Sequence, residues 1–254
     1  MSVTTEYYFK DLDLEKLFKA LGATDPKALV KTVQHFTTKE AGKRDKIVLD
    51  YFGRSGIDQI VGSIVKSLQT SPTLPKAAKV LDLGAGSGFF TVRVAEKVRK
   101  TNPDTSFYAM DLTPAMLLSL AKSKDEITSF VGLAENIRES VQQARKYLKI
   151  PVKFDAVFST MMLHHSPQPA RVFESIWEVL KKNGKAIILD LCEHEFEEFK
   201  TELDDLHLGF ETKDIASMAR KYFSTVRIEK MKGICCSSSG RSAEIFLAVM
   251  QNRL

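Results

Sequence analysis

Val80-Leu81-Asp82-Leu83-Gly84-Ala85-Gly86-Ser87-Gly88 is the stretch on which the fold turns. A short, mostly apolar run enters three glycines at alternate positions, and Phe89 to Lys100 then carries a helical pattern. An apolar run of this length, bounded by glycine, reads as a buried strand, Lys79 to Leu83. Glycine allows the backbone to turn sharply and lets a ligand lie directly against it. Dinucleotide-binding turns are spaced G-x-G-x-x-G and seat a pyrophosphate on the helix N-terminus. The G-x-G-x-G spacing here offers close backbone approach instead of an anion cradle, and disfavours an NAD-dependent oxidoreductase. Asp82 adds a carboxylate just before the turn.

Strand and helix patterns alternate downstream of this turn. Ser106 to Met110 reads as a second strand ending at Asp111, and Pro114 to Lys122 as a helix with Pro114 in its first turn. Strands follow at Ile127 to Val131, Phe154 to Ser159 and Lys185 to Leu191, with helices at Glu135 to Leu148 and Gln168 to Leu180. A helical stretch near Glu195 to Asp205 and a helix near Thr212 to Arg220 come next. Two further strands, about Thr225 to Cys235 and Ala243 to Gln251, are joined through Ser237 to Gly240 as a hairpin. The expectation is an α/β fold: a Rossmann-like, doubly wound, mostly parallel seven-stranded sheet with an antiparallel C-terminal hairpin. Upstream, Leu12 to Leu68 reads as helical, and Ser71-Pro72-Thr73-Leu74-Pro75 marks a linker. Residues 1–75 are therefore expected to be a helical N-terminal extension or cap, and 76–254 a cofactor-binding domain. Tyr7, Tyr8, Phe9, Tyr51 and Phe52 would give such a cap an aromatic lining, although a plain helical extension suits them equally.

Composition narrows the class. The chain has 254 residues and three cysteines, too few and odd in number for a secreted disulfide framework. The N-terminal residues show no signal-peptide pattern, and no run approaches the roughly 18 apolar residues of a membrane span. A cytoplasmic location is expected. The net charge of +5 is spread out; the densest early cluster, Lys39, Lys43, Arg44 and Lys46, reads as a solvated helix face, so nucleic acid is not expected as a partner. Nothing in the sequence fixes the oligomeric state.

Asp111 stands where a carboxylate can accept from both ribose hydroxyls of a nucleoside; the alternative is an Asp capping the helix at Thr113-Pro114. From Lys79 to Leu191 the chain resembles the class I methyltransferases that use S-adenosylmethionine (SAM). The blocks that carry the resemblance are Asp82 to Gly88, Asp111 with Leu112, Gly132-Leu133-Ala134-Glu135, Phe154 to Val157 running on to Leu163-His164-His165, and Leu180 to Lys185. The resemblance implies SAM as cofactor, with Asp82, Gly84, Ala85, Gly86, Gly88, Asp111, Leu112, Ala134, Glu135 and Thr160 around it, and Met161 and Met162 beside Thr160. Two departures stand out. Leu133 replaces an Asp that many relatives direct at the adenine, and Arg138 to Lys153 is longer than usual, expected as an extended surface helix.

Beyond the fifth strand, Asp190 to His194 and His207-Leu208-Gly209-Phe210 are similar to a small-molecule group of the family that includes quinone-biosynthesis and arsenic-regulator-associated methyltransferases. That likeness implies a small-molecule acceptor and makes Asp190, His194 and His207 the candidate catalytic residues, a neutral His serving as base. Helix capping and packing explain the two histidines as readily. His164-His165 is not expected to bind metal, since adjacent side chains diverge and no third ligand has a recognised spacing. Cys235-Cys236, with Cys192, raises a soft metalloid substrate; against it, neighbouring strand side chains face opposite ways. An RNA or protein methyltransferase, or a non-catalytic SAM-binding regulator, are the rival readings.

Overall fold

The computed structural model describes residues 8–9, 12–121, 126–202, 205–238 and 240–252. Seven strands form one sheet in the order β3-β2-β1-β4-β5-β7-β6. They are β1 (Lys79–Leu83), β2 (Ser106–Asp111), β3 (Ile127–Val131), β4 (Phe154–Thr160), β5 (Leu180–Leu191), β6 (Thr225–Ser238) and β7 (Arg241–Gln251). The first five run parallel, and β7 inserts antiparallel between β5 and β6. The doubly wound sheet and its antiparallel C-terminal pair are as expected.

The helices are α1 (Leu14–Ala20), α2 (Pro26–Lys39), α3 (Arg44–Gln69), α4 (Phe89–Arg99), α5 (Pro114–Ala121), α6 (Ile137–Ala144), α7 (Pro169–Val179), α8 (Glu198–Glu202) and α9 (Thr212–Ala219). Asp13 and Asp25 cap α1 and α2, each side chain accepting from a backbone N–H three residues on, at 3.0 Å. Such caps satisfy donors that the first helical turn otherwise leaves open.

Both faces of the sheet are covered, which is why its central strands are apolar throughout. Leu81, Leu83, Val157 and Ile188 pack on one side with residues of α5, α6, α7 and α9. Val80, Phe158, Ile187 and Leu189 pack on the other with α4 and Ile60, Ile64 and Leu68 of α3. Gly53, at φ 61 and ψ 169, breaks α3 into two. The part after Gly53 packs in the sheet's helical layer, which Val48 and Phe52 before the break also join. Near the N-terminus Tyr8 reaches the sheet edge, where its hydroxyl accepts from Val131 N–H at 3.2 Å; Tyr7 lies outside the described residues. The stretch expected as an extended surface helix is shorter and better packed: α6 ends at Ala144, and Ile137, Val141, Leu148 and Ile150 are buried.

Lys185 of β5 shows how tightly α3 is tied to the sheet. It is 2% exposed, and its ammonium donates to the carbonyls of Ser67 and Thr70 at 2.8 Å, closing the C-terminal end of α3. A cation there satisfies carbonyls that have no helical partner. Lys185→Met should destabilise the fold by about 1.5–3 kcal/mol, because the buried Ser67 carbonyl, and with it that of exposed Thr70, loses a charged donor. Urea unfolding would measure it; a loss below about 0.5 kcal/mol would mean the ammonium contributes nothing net.

Candidate active site

The site lies at the carboxyl ends of the parallel strands. Between β1 and α4 the backbone takes positive φ at Gly84 (72), Gly86 (55) and Gly88 (82). The reasons differ. A Cβ on Gly84 would lie 2.2 Å from Met162, and one on Gly88 2.2 Å from Leu120, so packing from within the protein fixes these two. A Cβ on Gly86 would meet nothing nearer than Met116 Sδ at 3.7 Å. Gly86 is thus the point at which the turn is left open to a ligand. The amides of Gly84 and Ala85 both donate to the Met110 carbonyl, which anchors the turn against β2.

Asp111 ends β2 directly opposite. One carboxylate oxygen accepts from Gly86 N–H and the other from Thr113 N–H, each at 2.8 Å. Asp111 thus organises the entry to α5 and also braces the glycine turn. A carboxylate has about four acceptor positions, so two stay available for the hydroxyls of a sugar. Burial raises its pKa, opposed by those two backbone donors.

Asp82 and Thr160 wall the cleft next to the turn. Asp82 is 2% exposed and accepts from the Thr91 hydroxyl at 2.6 Å. Burial pushes its carboxyl up to about 7, against the Thr91 hydrogen bond, and Asp111 adds to the rise. The Thr160 hydroxyl is buried with no hydrogen-bond partner among the described residues. An orphaned polar atom in a cleft costs free energy until a ligand satisfies it. Open Gly86, two carboxylates and an unsatisfied hydroxyl suit a nucleoside that carries cationic and polar groups. Leu112, Ala134 and Glu135 sit half-buried at the ends of β2 and β3, outside the cleft that Gly84 to Ser87 and Thr160 line. Glu135 accepts from the Ser166 hydroxyl. Leu133 is buried, with its N–H donating to Ser140 Oγ at 3.0 Å, and offers no polar atom in place of the missing Asp.

The N-terminal helices supply the opposite wall through Glu40, Arg44, Val48, Tyr51 and Phe52. Arg44 is not on a solvated face as expected: its side chain is 20% exposed, lines the cleft, and pairs with Glu40 at 2.6 Å. Ser87 in the glycine turn donates to Asp45 at 2.6 Å, tying this wall to the turn. Burial raises the Tyr51 phenol well above its usual range, against the pull of Arg44.

The three residues expected to be catalytic do not line the cleft. Asp190 is fully buried; its oxygens accept from the backbone N–H of Met162, Leu163 and Leu191, and one lies 2.6 Å from His164 Nδ1. It thus sets the loop after β4 and orients His164. His207 donates through Nε2 to the Ser166 carbonyl at 3.0 Å, while His194 stacks on Phe196 and accepts from its N–H through Nδ1 at 3.2 Å. Burial lowers the His194 pKa, with His164 adding to the effect.

The imidazole that does face the cleft is His164, together with His165 and Asp205. Burial alone would lower the pKa of His164, but Asp190, and behind it Asp205, hold it above its ordinary value. Sequence reading passed over Asp205, and no local signal marks it. Its place depends on the chain from Cys192 to Phe210 folding back under the loop after β4. Of the cysteines, Cys236 lines the cleft, and Cys192 is buried elsewhere; the side chain of Cys235 lies outside the described residues. No set of three thiols converges among those described.

A family model described as a methyltransferase domain matches residues 74–233. An arsenite methyltransferase of Halobacterium salinarum is 27% identical over 114 residues, 45% of this chain and 27% of its own length. The O-methyltransferase xanE of Aspergillus fumigatus is 23% identical over 165 residues, 61% of this chain and 33% of its own. The chain thus spans a third or less of these curated relatives. Among solved structures, a phosphoethanolamine N-methyltransferase of Haemonchus contortus in complex with S-adenosyl-L-methionine superposes with a TM-score of 0.56 at 18% identity, over 76% of this chain and 53% of that one. A chain from the complex of the Haloferax volcanii Trm112 methyltransferase activator with its methyltransferase gives 0.60 at 15% identity, over 87% and 98%. At these identities the structural likeness establishes the fold.

Proposed function

Since the chain belongs to the class I SAM-dependent methyltransferase family, whose methyl donor is SAM, we propose that it methylates a small-molecule acceptor. The observation that carries this reading is the pairing of Asp111 with open Gly86, which lines a cleft whose other wall is closed by helices. An enclosed cleft with Tyr51, Phe52 and Cys236 on its sides suits a compact acceptor better than a polymer lying on the surface. Among the described residues no helix is long and apolar enough to cross a membrane.

SAM supplies an already activated methyl group when bound. The protein's task is then alignment and exclusion of water, for which no covalent enzyme intermediate is required. Asp111 would hold the sugar hydroxyls, Gly86 would lie against the donor, and Thr160 would hydrogen-bond one of its polar groups. Leu112, Ala134 and Glu135 would border the base. The acceptor would enter between the helical wall and His164, His165 and Asp205. Asp190 and His207 act in this reading as positioning residues behind that wall, and His194 packs the loop that carries Asp205.

Incubating the full chain with methyl-labelled SAM and a metabolite extract tests the proposal. A labelled small molecule is the expected product; label found only in RNA or protein, or in nothing, would refute it.

Asp82 gives the donor site a pH dependence. Its carboxyl is raised to about 7, so it is largely protonated at pH 6 and largely ionised at pH 8. A cationic donor favours the ionised form, so SAM affinity should rise as pH climbs from about 5.5 to 7.5, by about sixfold if binding draws the pKa down by one unit. The sign for the empty protein is opposite. A raised folded pKa gives stability that is present below about 4 and is lost as pH rises through about 7. Titration calorimetry across this range checks the first effect, and Asp82→Asn should flatten it although Asp111 nearby is raised too. An unchanged slope in that variant would assign the dependence to another group.

A further inference from the structure

We propose that His164, His165 and Asp205 form a binding site for a divalent transition-metal ion, zinc in the first instance, on the acceptor side of the cleft. One donor atom from each lies within 4.8 Å of the others. Asp205 Oδ1 is 3.5 Å from His164 Nε2 and 3.9 Å from His165 Nδ1. Both are ion-pair separations, longer than a good N–H···O hydrogen bond. Tetrahedral zinc with arms of about 2.0–2.1 Å holds neighbouring donors about 3.3 Å apart. The contacts to the carboxylate are already near that value, and the two imidazoles need to close by at most about 1.5 Å.

The expectation that adjacent histidines diverge is overcome by the turn that carries them. Residues Leu163–His165 form a short 3-10 helix, and the two rings lie 4.1 Å apart between centroids. The third donor comes from 40 residues further along the chain, and main-chain hydrogen bonds stitch its segment in place. The His164 carbonyl accepts from the N–H groups of Leu206 and His207 at 3.2 and 3.1 Å, and the His207 ring holds the Ser166 carbonyl. Behind His164, buried Asp190 engages Nδ1 at 2.6 Å and so points Nε2 at Asp205. A carboxylate gripping the far nitrogen of a ligating imidazole is the usual outer support of a histidine metal site, fixing tautomer and ring orientation.

The donor set favours a borderline ion. Two imidazoles and one carboxylate suit zinc better than calcium or magnesium, which take oxygen ligands. Three protein ligands leave one position open, as in zinc sites that bind a reactant. All three line the cleft, so that position opens into it beside Tyr51 and Cys236. Among the described residues, the one guanidinium on the opposite wall, Arg44, is balanced by Glu40. Asp205 and His164 are almost wholly shielded, while the His165 side chain, 23% exposed, leaves a path for the ion to enter.

Ion binding stands independently of methyl transfer; its use rests on the function proposed above. An acceptor hydroxyl or thiol on the open position would be acidified by the ion and lose its proton to solvent. Its lone pair would form the bond to the methyl carbon as the carbon–sulfur bond breaks, with that pair passing to sulfur and leaving the neutral thioether S-adenosylhomocysteine.

The test uses the full chain, stripped with chelator and titrated with zinc chloride by calorimetry, with metal content measured after desalting. One equivalent should be retained. His165→Ala and the double variant H165A/D205N should each lower zinc affinity at least about tenfold, and Asp190→Asn, which changes no ligand, about 10–100-fold. His165 is partly exposed, so its variant should fold, as retained S-adenosylhomocysteine binding would verify. Wild-type protein that keeps no zinc at micromolar concentrations, or a double variant that binds as well as wild type, overturns the site. Loss of S-adenosylhomocysteine binding in wild type, with zinc still bound, would instead sink the donor reading and leave the metal site standing.

Discussion

Asp111→Ala is expected to weaken SAM binding by at least about 100-fold, the largest single effect on the cofactor. Two hydrogen bonds from sugar hydroxyls to a carboxylate would be lost, each worth about 1.5–3 kcal/mol when the acceptor is charged. The glycine turn would also lose its brace, since Asp111 holds the Gly86 amide at 2.8 Å and the Thr113 amide at 2.8 Å. Asp111→Asn separates these contributions. It keeps the shape and one acceptor oxygen, so it should fall between wild type and the alanine variant. Calorimetry with SAM and S-adenosylhomocysteine checks both, with a thermal melt as the control for folding. An alanine variant that binds within threefold of wild type would remove Asp111 from the cofactor site and with it the geometric basis of the proposed function.

Gly209→Ala should produce the largest loss of stability, about 3–4 kcal/mol. Gly209 has φ +74, which costs an L-residue roughly 1–2 kcal/mol. An added Cβ would also stand 2.2 Å from the Cys192 carbonyl oxygen and 2.9 Å from the Glu193 nitrogen. These are backbone atoms, which cannot rotate away as the tip of a side chain can. Relief requires opening the bridge between Cys192 and Phe210 and the hydrogen bonds of Glu193 and Phe210 across it. That bridge positions the segment from Asp205 to His207, so cleft chemistry should suffer with stability. Urea denaturation gives the first effect, and zinc affinity the second. A Gly209→Ala protein with an unchanged unfolding midpoint would show that this loop is free to shift and that Asp205 is not held by it.

The His-Leu-Gly-Phe stretch illustrates where sequence reading succeeds and where it stops. Its spacing after Asp190 to His194 singles out a constrained segment, and of the residues in and between these blocks only Leu191 and Asp205 line the cleft among those described. Yet His207 spends its ring on the Ser166 carbonyl, His194 on aromatic stacking, and Asp190 on four partners behind the wall. What the motif builds is a clip that brings Asp205 to His164. A residue pattern reports that a segment is constrained; it does not say which of its side chains faces a ligand. Arg44 shows the converse. In a run of basic residues it looked like a surface charge, but the helix turns it into the cleft against Glu40.

The sheet, the glycine turn and the acidic end of β2 are legible in residue order alone. These features are local: strand and helix periods, turn chemistry at Gly84 to Gly88, and a carboxylate a fixed distance along a strand–helix–strand unit. The far wall of the cleft, by contrast, arises from tertiary packing alone. Tyr51 and Arg44 come from α3, His164 and His165 from the loop after β4, Asp205 from the chain beyond β5, and Cys236 from β6. Their meeting depends on strand register, on the break at Gly53 and on the fold-back at Gly209. Each of these is set by packing between segments far apart in the chain, and a local pattern carries no record of it.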